Sequence, residues 1–447
     1  MPRNDMTWQA TYFLISIAVV ALLTFVGLMH PWFTGDTASW LAPCSGIACF
    51  ASARFPLYRI IYLMITFDGR FPALLPWVQI SIFLVAGFHL ARSSRRAGAS
   101  PAAAAAIALA FPLSNMLLIW GRAEIPEILA RAALIAALAA SLDAAIAPGS
   151  RFAALRVGIF GSAAYLLDPA QLPFIAVLPV LIAWLQRRSA TSRVLWRQPA
   201  RTAALLALPF LAIASFRLAT LSSFNIVSFG GYEVSGLAAE ILTPATEAAL
   251  PPKLRTIGAE ILARKSDLIR SRQIPTTPLN STGHASLASE AIGYFDIFAR
   301  YYDVLLREAV LPIRQPQQSW VAFNQKMQVF SFAVIRHEKL IYALWIAGAL
   351  ARVAGRMTML NLPFVLSAAA LLLILIMRRP VSRPAPQARD TSLLFGLTAA
   401  YTIGTSILGC LVAFPAQRYI DGAGLLITAW PLYACFHLTG LFAPART

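Results

Sequence analysis

Long apolar runs separated by short arginine clusters constrain this chain more than any other feature. Residues 10–29, ATYFLISIAVVALLTFVGLM, carry no charge at all and are long enough to cross the hydrocarbon core of a bilayer. No small-residue cleavage signal follows, so this run reads as a retained membrane helix rather than a removed secretory peptide. The clusters ARSSRR (91–96), QRRSATSRVLWRQPAR (186–201) and MRRPVSRPAPQAR (377–389) punctuate the later runs. Arginine between apolar runs marks the cytoplasmic side. If all three clusters lie there, each pair is separated by an even number of spans. With 58% hydrophobic and 13% charged residues over 447 positions, the chain is a polytopic membrane protein. Its net charge of +18 follows from that topology and not from nucleic-acid binding.

Parity selects spans near 10–29, 73–92, 101–120, 128–147, 152–167, 170–186, 202–220, 358–377, 391–413 and 420–440. The expected fold is an all-α bundle of about ten transmembrane helices with both termini inside and juxtamembrane helices on the outer face. The stretch EKLIYALWIAGALARVAGR (338–356) is apolar enough to span, but an eleventh span would put MRRPVSRPAPQAR outside. It reads instead as an amphipathic helix on the outer surface, with Lys339, Arg352 and Arg356 towards the headgroups. Three regions follow: an N-terminal membrane module over 1–220, an outer region over 221–357 and C-terminal membrane helices over 358–447. Within the outer region Tyr294, Phe295, Phe298, Tyr301 and Tyr302 form an aromatic face at helical spacing. SRQIPTTPLNSTGHAS (271–286) reads as a loop or lid, and the glycines of SFGGYEVSG (228–236) as a turn over a cavity.

Nineteen acidic residues are few enough to sort one by one. Asp36, Asp68, Glu124, Glu127, Asp168 and Asp421 fall at outer helix ends, where an ionisable group is costly unless hydrated or paired. Capping and interfacial roles compete with function at each of them, and Asp421 can simply pair with Arg418. Arg54, Arg59, Arg122, Arg217 and Arg418 occupy the same depth, where the charge bias disfavours arginine. A guanidinium fork there suits a phosphate or pyrophosphate, with headgroup snorkelling as the alternative. The five histidines have no metal-ligand spacing and no phosphate-binding GxxxxGK[ST] exists. Cys44 and Cys49 share the first outer loop, where an oxidising compartment permits a disulfide. Cys410 and Cys435 sit in late helices as packing residues.

The order of these segments resembles the GT-C superfamily of integral-membrane glycosyltransferases that use polyprenyl-phosphate sugars, in its bacterial lipopolysaccharide-modifying and arabinosyl- or mannosyl-transferring branches. TGDTASW followed by RFPLYRIIYLM looks like their acidic first outer loop and the Arg-x-Pro-x-Tyr segment after it. RAEIPEILARAALIAALA is similar to their second outer loop, FAVIRHEKLIYALWIAGALAR to their surface helix, and FPAQRYIDGAGLLITAWPLY to their late Arg-Tyr segment. Asp168 stands where many relatives carry Arg or Lys before Pro, and Glu338 replaces a Pro. The resemblance implies an inverting glycosyltransferase at the outer, periplasmic face of a bacterial inner membrane. It moves a sugar from a polyprenyl phosphate to a glycan or lipid-linked acceptor. Asp36 would be the general base, and Glu124, Glu127 and Asp168 would contact the acceptor or sugar. Arg54, Arg59, Arg122, Arg418 and Tyr419 would hold the donor phosphate. No cofactor is implied with certainty, and a divalent cation stays open. An O-antigen ligase- or polymerase-like enzyme using a lipid pyrophosphate, and a lipid or sugar transporter, are the competing classes.

Overall fold

The computed structural model describes residues 3–34, 36–43, 49, 54–147, 150–187, 196–274, 304–377, 387–412 and 417–442. They form helices α1 (Arg3–Phe25), α2 (Thr37–Leu41), α3 (Leu57–Thr66), α4 (Leu74–Arg96), α5 (Pro101–Leu109), α6 (Asn115–Trp120), α7 (Glu127–Ile146), α8 (Arg151–Leu167), α9 (Phe174–Gln186) and α10 (Arg197–Leu221). After these come α11 (Gly230–Ile241), α12 (Pro244–Ala249), α13 (Pro252–Arg270), α14 (Trp320–His337), α15 (Lys339–Met359), α16 (Leu362–Met377), α17 (Ala388–Val412), α18 (Gln417–Ala423) and α19 (Ala429–Thr439). No strand occurs among the described residues. The chain is therefore an all-α membrane protein, with six helices long and apolar enough to cross a bilayer: Met6–Phe25, Leu74–Arg96, Glu127–Ile146, Pro169–Gln186, Arg197–Leu221 and Lys339–Met359.

α7 is the axis of the bundle. Its sequence EILARAALIAALAASLDAAI is rich in alanine, so α4, α8 and α9 approach its backbone closely, and most of its residues are buried. The span expected over 101–120 is broken into α5 and α6. Pro112 removes a helical donor, and Ser114 restarts the helix by accepting from the Leu117 amide at 3.1 Å. The final span is likewise segmented, into α18, a 3-10 turn over Leu425–Thr428 and α19.

One end of the bundle gathers the described residues next to the arginine clusters. Arg96 and Arg156 both bond the Asp143 carboxylate at 3.1 Å, and Asp390 accepts from the Ser100 amide at 2.8 Å and from the Tyr433 hydroxyl at 3.1 Å. Gln198 donates to the Ser150 carbonyl at 3.0 Å. Ends of α4, α5, α7, α8, α10 and α17 therefore meet at one level, as a shared side for the clusters requires.

A second core sits at the opposite end, built from α11, α14 and α15 with buried Leu237, Phe323, Phe330 and Trp345 among its members. α15 buries a single stripe, Trp345, Ala349, Val353 and Met357, in the cluster that includes Cys410, Ile420 and Ala423. The Tyr342 hydroxyl donates to the Leu411 carbonyl at 2.7 Å, and the Leu360 carbonyl accepts from Asn115 at 3.0 Å. Both ends of this long helix thus touch the same end of the bundle. The aromatic face expected at Tyr294 to Tyr302, and the 275–286 part of the expected lid, lie outside the described residues.

The glycines of SFGGYEVSG open helix α11 instead of forming a turn. A Cβ on Gly231 would collide with the Asn324 carbonyl and approach Gln328 Cβ to 2.8 Å, so only glycine lets α11 lie on α14. Gly231→Ala is expected to destabilise the protein by about 1–3 kcal/mol, because a backbone carbonyl cannot move aside as a side chain can. Gly348→Ala is the control, since nothing lies within 4 Å of a Cβ there. The check is a melting temperature lowered in the first variant and unchanged or raised in the second.

Candidate functional site

Opposite the arginine-rich end, three distant segments are tied together. Trp32 and Ala123 form an isolated parallel bridge in which the Trp32 amide donates to the Arg122 carbonyl and the Glu124 amide to the Trp32 carbonyl, both at 3.0 Å. The Trp32 ring stacks on Trp120 with centroids 5.5 Å apart, and the Arg122 guanidinium lies 5.6 Å from the Trp32 centroid. Trp120 donates its indole N–H to Asp421 at 2.9 Å. Asp421 is thereby bonded to Trp120, and the side chain of its expected partner Arg418 lies outside the described residues.

Asp36 immediately precedes α2, but its carboxylate makes no capping hydrogen bond. It points towards Arg54, whose Nη2 stands 3.8 Å from Asp36 Oδ1. The Arg54 guanidinium is held between the Trp40 ring at 4.1 Å and the Phe229 ring at 4.4 Å. Phe229 in turn packs with Tyr232 and Trp320, so an aromatic cluster of the second core fixes a cation of the segment between α2 and α3. Arg54, expected to hold phosphate, is here the partner of the expected base. Cys49 is disulfide-bonded, while Cys44 lies outside the described residues.

Behind Asp36, α3, α4 and the 121–127 segment bring together a cluster of buried polar side chains. Trp40 meets Tyr58 edge-on at 6.2 Å, and Tyr58 meets Tyr62 at 6.4 Å. Glu124, Gln79 and Tyr58 are fully buried and Glu127 nearly so. Tyr58 faces Gln79, and Tyr62 faces Glu124, without reaching hydrogen-bond geometry. Both Glu124 oxygens, both polar atoms of the Gln79 amide, the Tyr58 hydroxyl and the Trp40 indole N–H have no hydrogen-bond partner among the described residues. Burial pushes the Glu124 carboxyl above its ordinary range, with the Tyr62 phenol working weakly the other way. Burial also raises the Tyr58 phenol, helped by the neighbouring Glu127 and Glu124 charges.

Burial of Glu124 makes stability depend on pH. A carboxyl whose pKa is raised on folding contributes stability below its ordinary pKa, and that contribution is lost as the pH rises through the folded value. The wild type is therefore expected to lose melting temperature relative to Glu124→Gln as the pH rises above the ordinary glutamate range of about 4–5. Parallel melting curves of the two proteins over that rise would contradict this.

The remaining expected site residues are spread more widely. Asp168 is buried and its two oxygens are both engaged, Oδ1 by the Ala170 amide at 3.1 Å and Oδ2 by the Gln171 amide group at 2.9 Å. It caps the short turn before α9 and makes its bonds within the protein. Arg59 is half-buried on α3 and engaged with another group, and Tyr419 is half-buried on α18. Arg217 is fully buried and folds the 222–228 segment back onto α10 through Asn225 at 3.1 Å and Ser228 at 2.5 Å. Among the described residues no group of three or more His, Cys, Asp and Glu is placed to hold a metal ion.

A cavity of about 440 Å³ opens beside this end, lined by Phe210, Phe224, Gly231, Asn324, Phe332 and Tyr342 among others. Phe224 and Phe332 of its lining are exposed, as are Leu208 and Leu211 on α10. Gln79, Tyr58 and the amides of this cavity escape a reading of the sequence that weighs only charged residues at helix ends. No family model, curated protein or solved structure matches the chain.

Proposed function

We propose that the chain is an inverting glycosyltransferase that takes a sugar from a polyprenyl phosphate at the outer face of the membrane. The observation that carries the reading is the cluster of buried polar groups beside Asp36. Its unsatisfied groups include donors, from Gln79, Tyr58 and Trp40, and acceptors, from Glu124 and Gln79. A metal ion would leave the donors unsatisfied, and an anion would meet buried carboxylates. Sugar hydroxyls both donate and accept, and aromatic walls suit the apolar face of a sugar ring.

In this account the acceptor hydroxyl attacks the anomeric carbon while Asp36 takes its proton. The bond from that carbon to the phosphate oxygen breaks, and the polyprenyl phosphate leaves. Arg54 orients the Asp36 carboxylate. The aromatic cavity and its exposed lining receive the prenyl chain from the bilayer.

About ten helices cross the membrane in this reading, counting α5 with α6 as one span and the shorter α8, α9, α16 and α19 as others. Support comes from the shared level of their arginine-rich ends. α15 lies along the outer surface, because both of its ends touch one end of the bundle. A disulfide at Cys49 fits an oxidising outer compartment. The ligase-like and transporter alternatives lose ground because the buried polar groups gather near one face and include a sugar-like donor and acceptor set.

The test is transfer by the purified chain from radiolabelled polyprenyl monophosphate and pyrophosphate sugars, with envelope lipid and glycan acceptors. Transfer from the monophosphate alone is expected. Transfer from the pyrophosphate alone would assign the chain to the ligase-like class.

A further inference from the structure

Glu240, in the last turn of α11, is 1% exposed, and neither of its carboxyl oxygens has a hydrogen-bond partner among the described residues. A cation reaches the same place from α13. Lys265 lies on the buried stripe of that helix, in register with Ile257, Ile261 and Leu268. Its ammonium donates to the Ala239 carbonyl at 3.1 Å and to the Glu240 carbonyl at 2.5 Å. Lys265 therefore caps the C-terminal end of α11, where the helix dipole favours a cation and disfavours a carboxylate. The ammonium bonds the backbone, and the carboxyl beside it is left without a donor.

A π-helical turn, Leu305–Val310, packs on both α11 and α13. Its Arg307 and Glu308 are exposed, as are Arg336 and His337 of α14, and Lys326 of α14 is half-buried. Glu233, two turns earlier on α11, is half-buried as well. On α13, Glu260 pairs with Arg264 and Asp267 with Arg270. Asp390 of α17 is engaged at the arginine-rich end. Among the described residues, Lys265 is the charge that acts on Glu240. Burial raises the Glu240 carboxyl above its ordinary range, and the Lys265 charge offsets part of that rise. Burial also lowers the Lys265 ammonium, against the pull of Glu240. An ionised Glu240 must either draw the ammonium off the α11 carbonyls or take in water, and both loosen α13 from α11.

We propose that Glu240 is a pH-sensitive latch: its neutral carboxyl lets α13 and the π-helical turn close on α11, and its ionisation opens them. α11 begins directly after Phe229, the ring that lies against Arg54, so the latch and the support of the candidate site share one helix.

The test is amide hydrogen exchange of the purified full chain at pH values rising from the ordinary glutamate range, about 4–5. Exchange is read in peptides covering α11 and α13 and corrected for its intrinsic dependence on pH. The opened population of the wild type should grow about tenfold per pH unit until the folded carboxyl itself ionises, the effect of one proton released on opening. Glu240→Gln stays neutral and should show no such growth. Wild-type exchange as independent of pH as that of Glu240→Gln overturns the latch, and so does growth that survives in Glu240→Gln. Should that variant fail to fold, Lys265→Met carries the test. With the offsetting cation gone, growth should continue to higher pH than in the wild type, and an unchanged or absent growth overturns the latch.

Discussion

Asp36→Asn is expected to fold, insert and bind donor like the wild type while transferring sugar roughly a hundredfold to ten-thousandfold more slowly, the usual worth of positioned proton transfer. Asparagine preserves shape and removes the acceptor of the proton. Asp36→Glu should retain little more activity, because one added methylene moves the carboxylate away from its place beside Arg54. A capping role for Asp36 makes the opposite forecast, since Asn caps a helix about as well as Asp. The absence of any capping hydrogen bond from the Asp36 side chain favours the catalytic forecast. The measurement is turnover of the purified variant with saturating donor and acceptor, beside its melting temperature. Near-normal turnover would remove Asp36 from the chemistry and turn attention to Glu124.

Arg54→Ala should be the second most damaging change. The side chain joins the segment around α2 to the second core through an ion pair and two aromatic faces, each face worth about 0.5–2 kcal/mol depending on hydration. Without it the Asp36 carboxylate loses its orientation, and misplacement by an ångström costs on the order of a hundredfold in rate. The loss is expected in kcat, with the donor KM little changed. A phosphate-gripping Arg54 would instead raise KM. Arg54→Lys should recover only part of the rate, because a compact ammonium cannot fill the slot between Trp40 and Phe229 as a planar guanidinium does.

Much of the outline is legible in the amino-acid sequence. The positions of α1, α4, α7 and α10 follow from apolar runs, and the common level of the helix ends that flank the arginine clusters from charge bias. Pro112 is visible in AFPLSN, yet Pro179 and Pro209 lie inside unbroken helices. What marks the break is Ser114 following Pro112 as a new N-cap, a pairing of signals rather than proline alone. Asp36 and Glu124 stand out because charge at a helix end is local information. Arg131 does not, because the Gln171 amide oxygen that accepts from it is brought there by the fold and by no local pattern. Gln79 is hidden for a related reason: an amide inside an apolar helix is informative only once its neighbours are known to leave it unpaired.

Sugar transfer from a polyprenyl monophosphate with Asp36 as the base is the proposed reaction. Its most direct test is a single-turnover reaction of purified wild type and Asp36→Asn, loaded with anomerically defined labelled donor and given envelope acceptor. The account predicts that label leaves the wild-type donor, appears on the acceptor with inverted anomeric configuration, and stays on the donor in the variant over the same interval. Label retained on the donor by both proteins, or transferred equally by both, would contradict it.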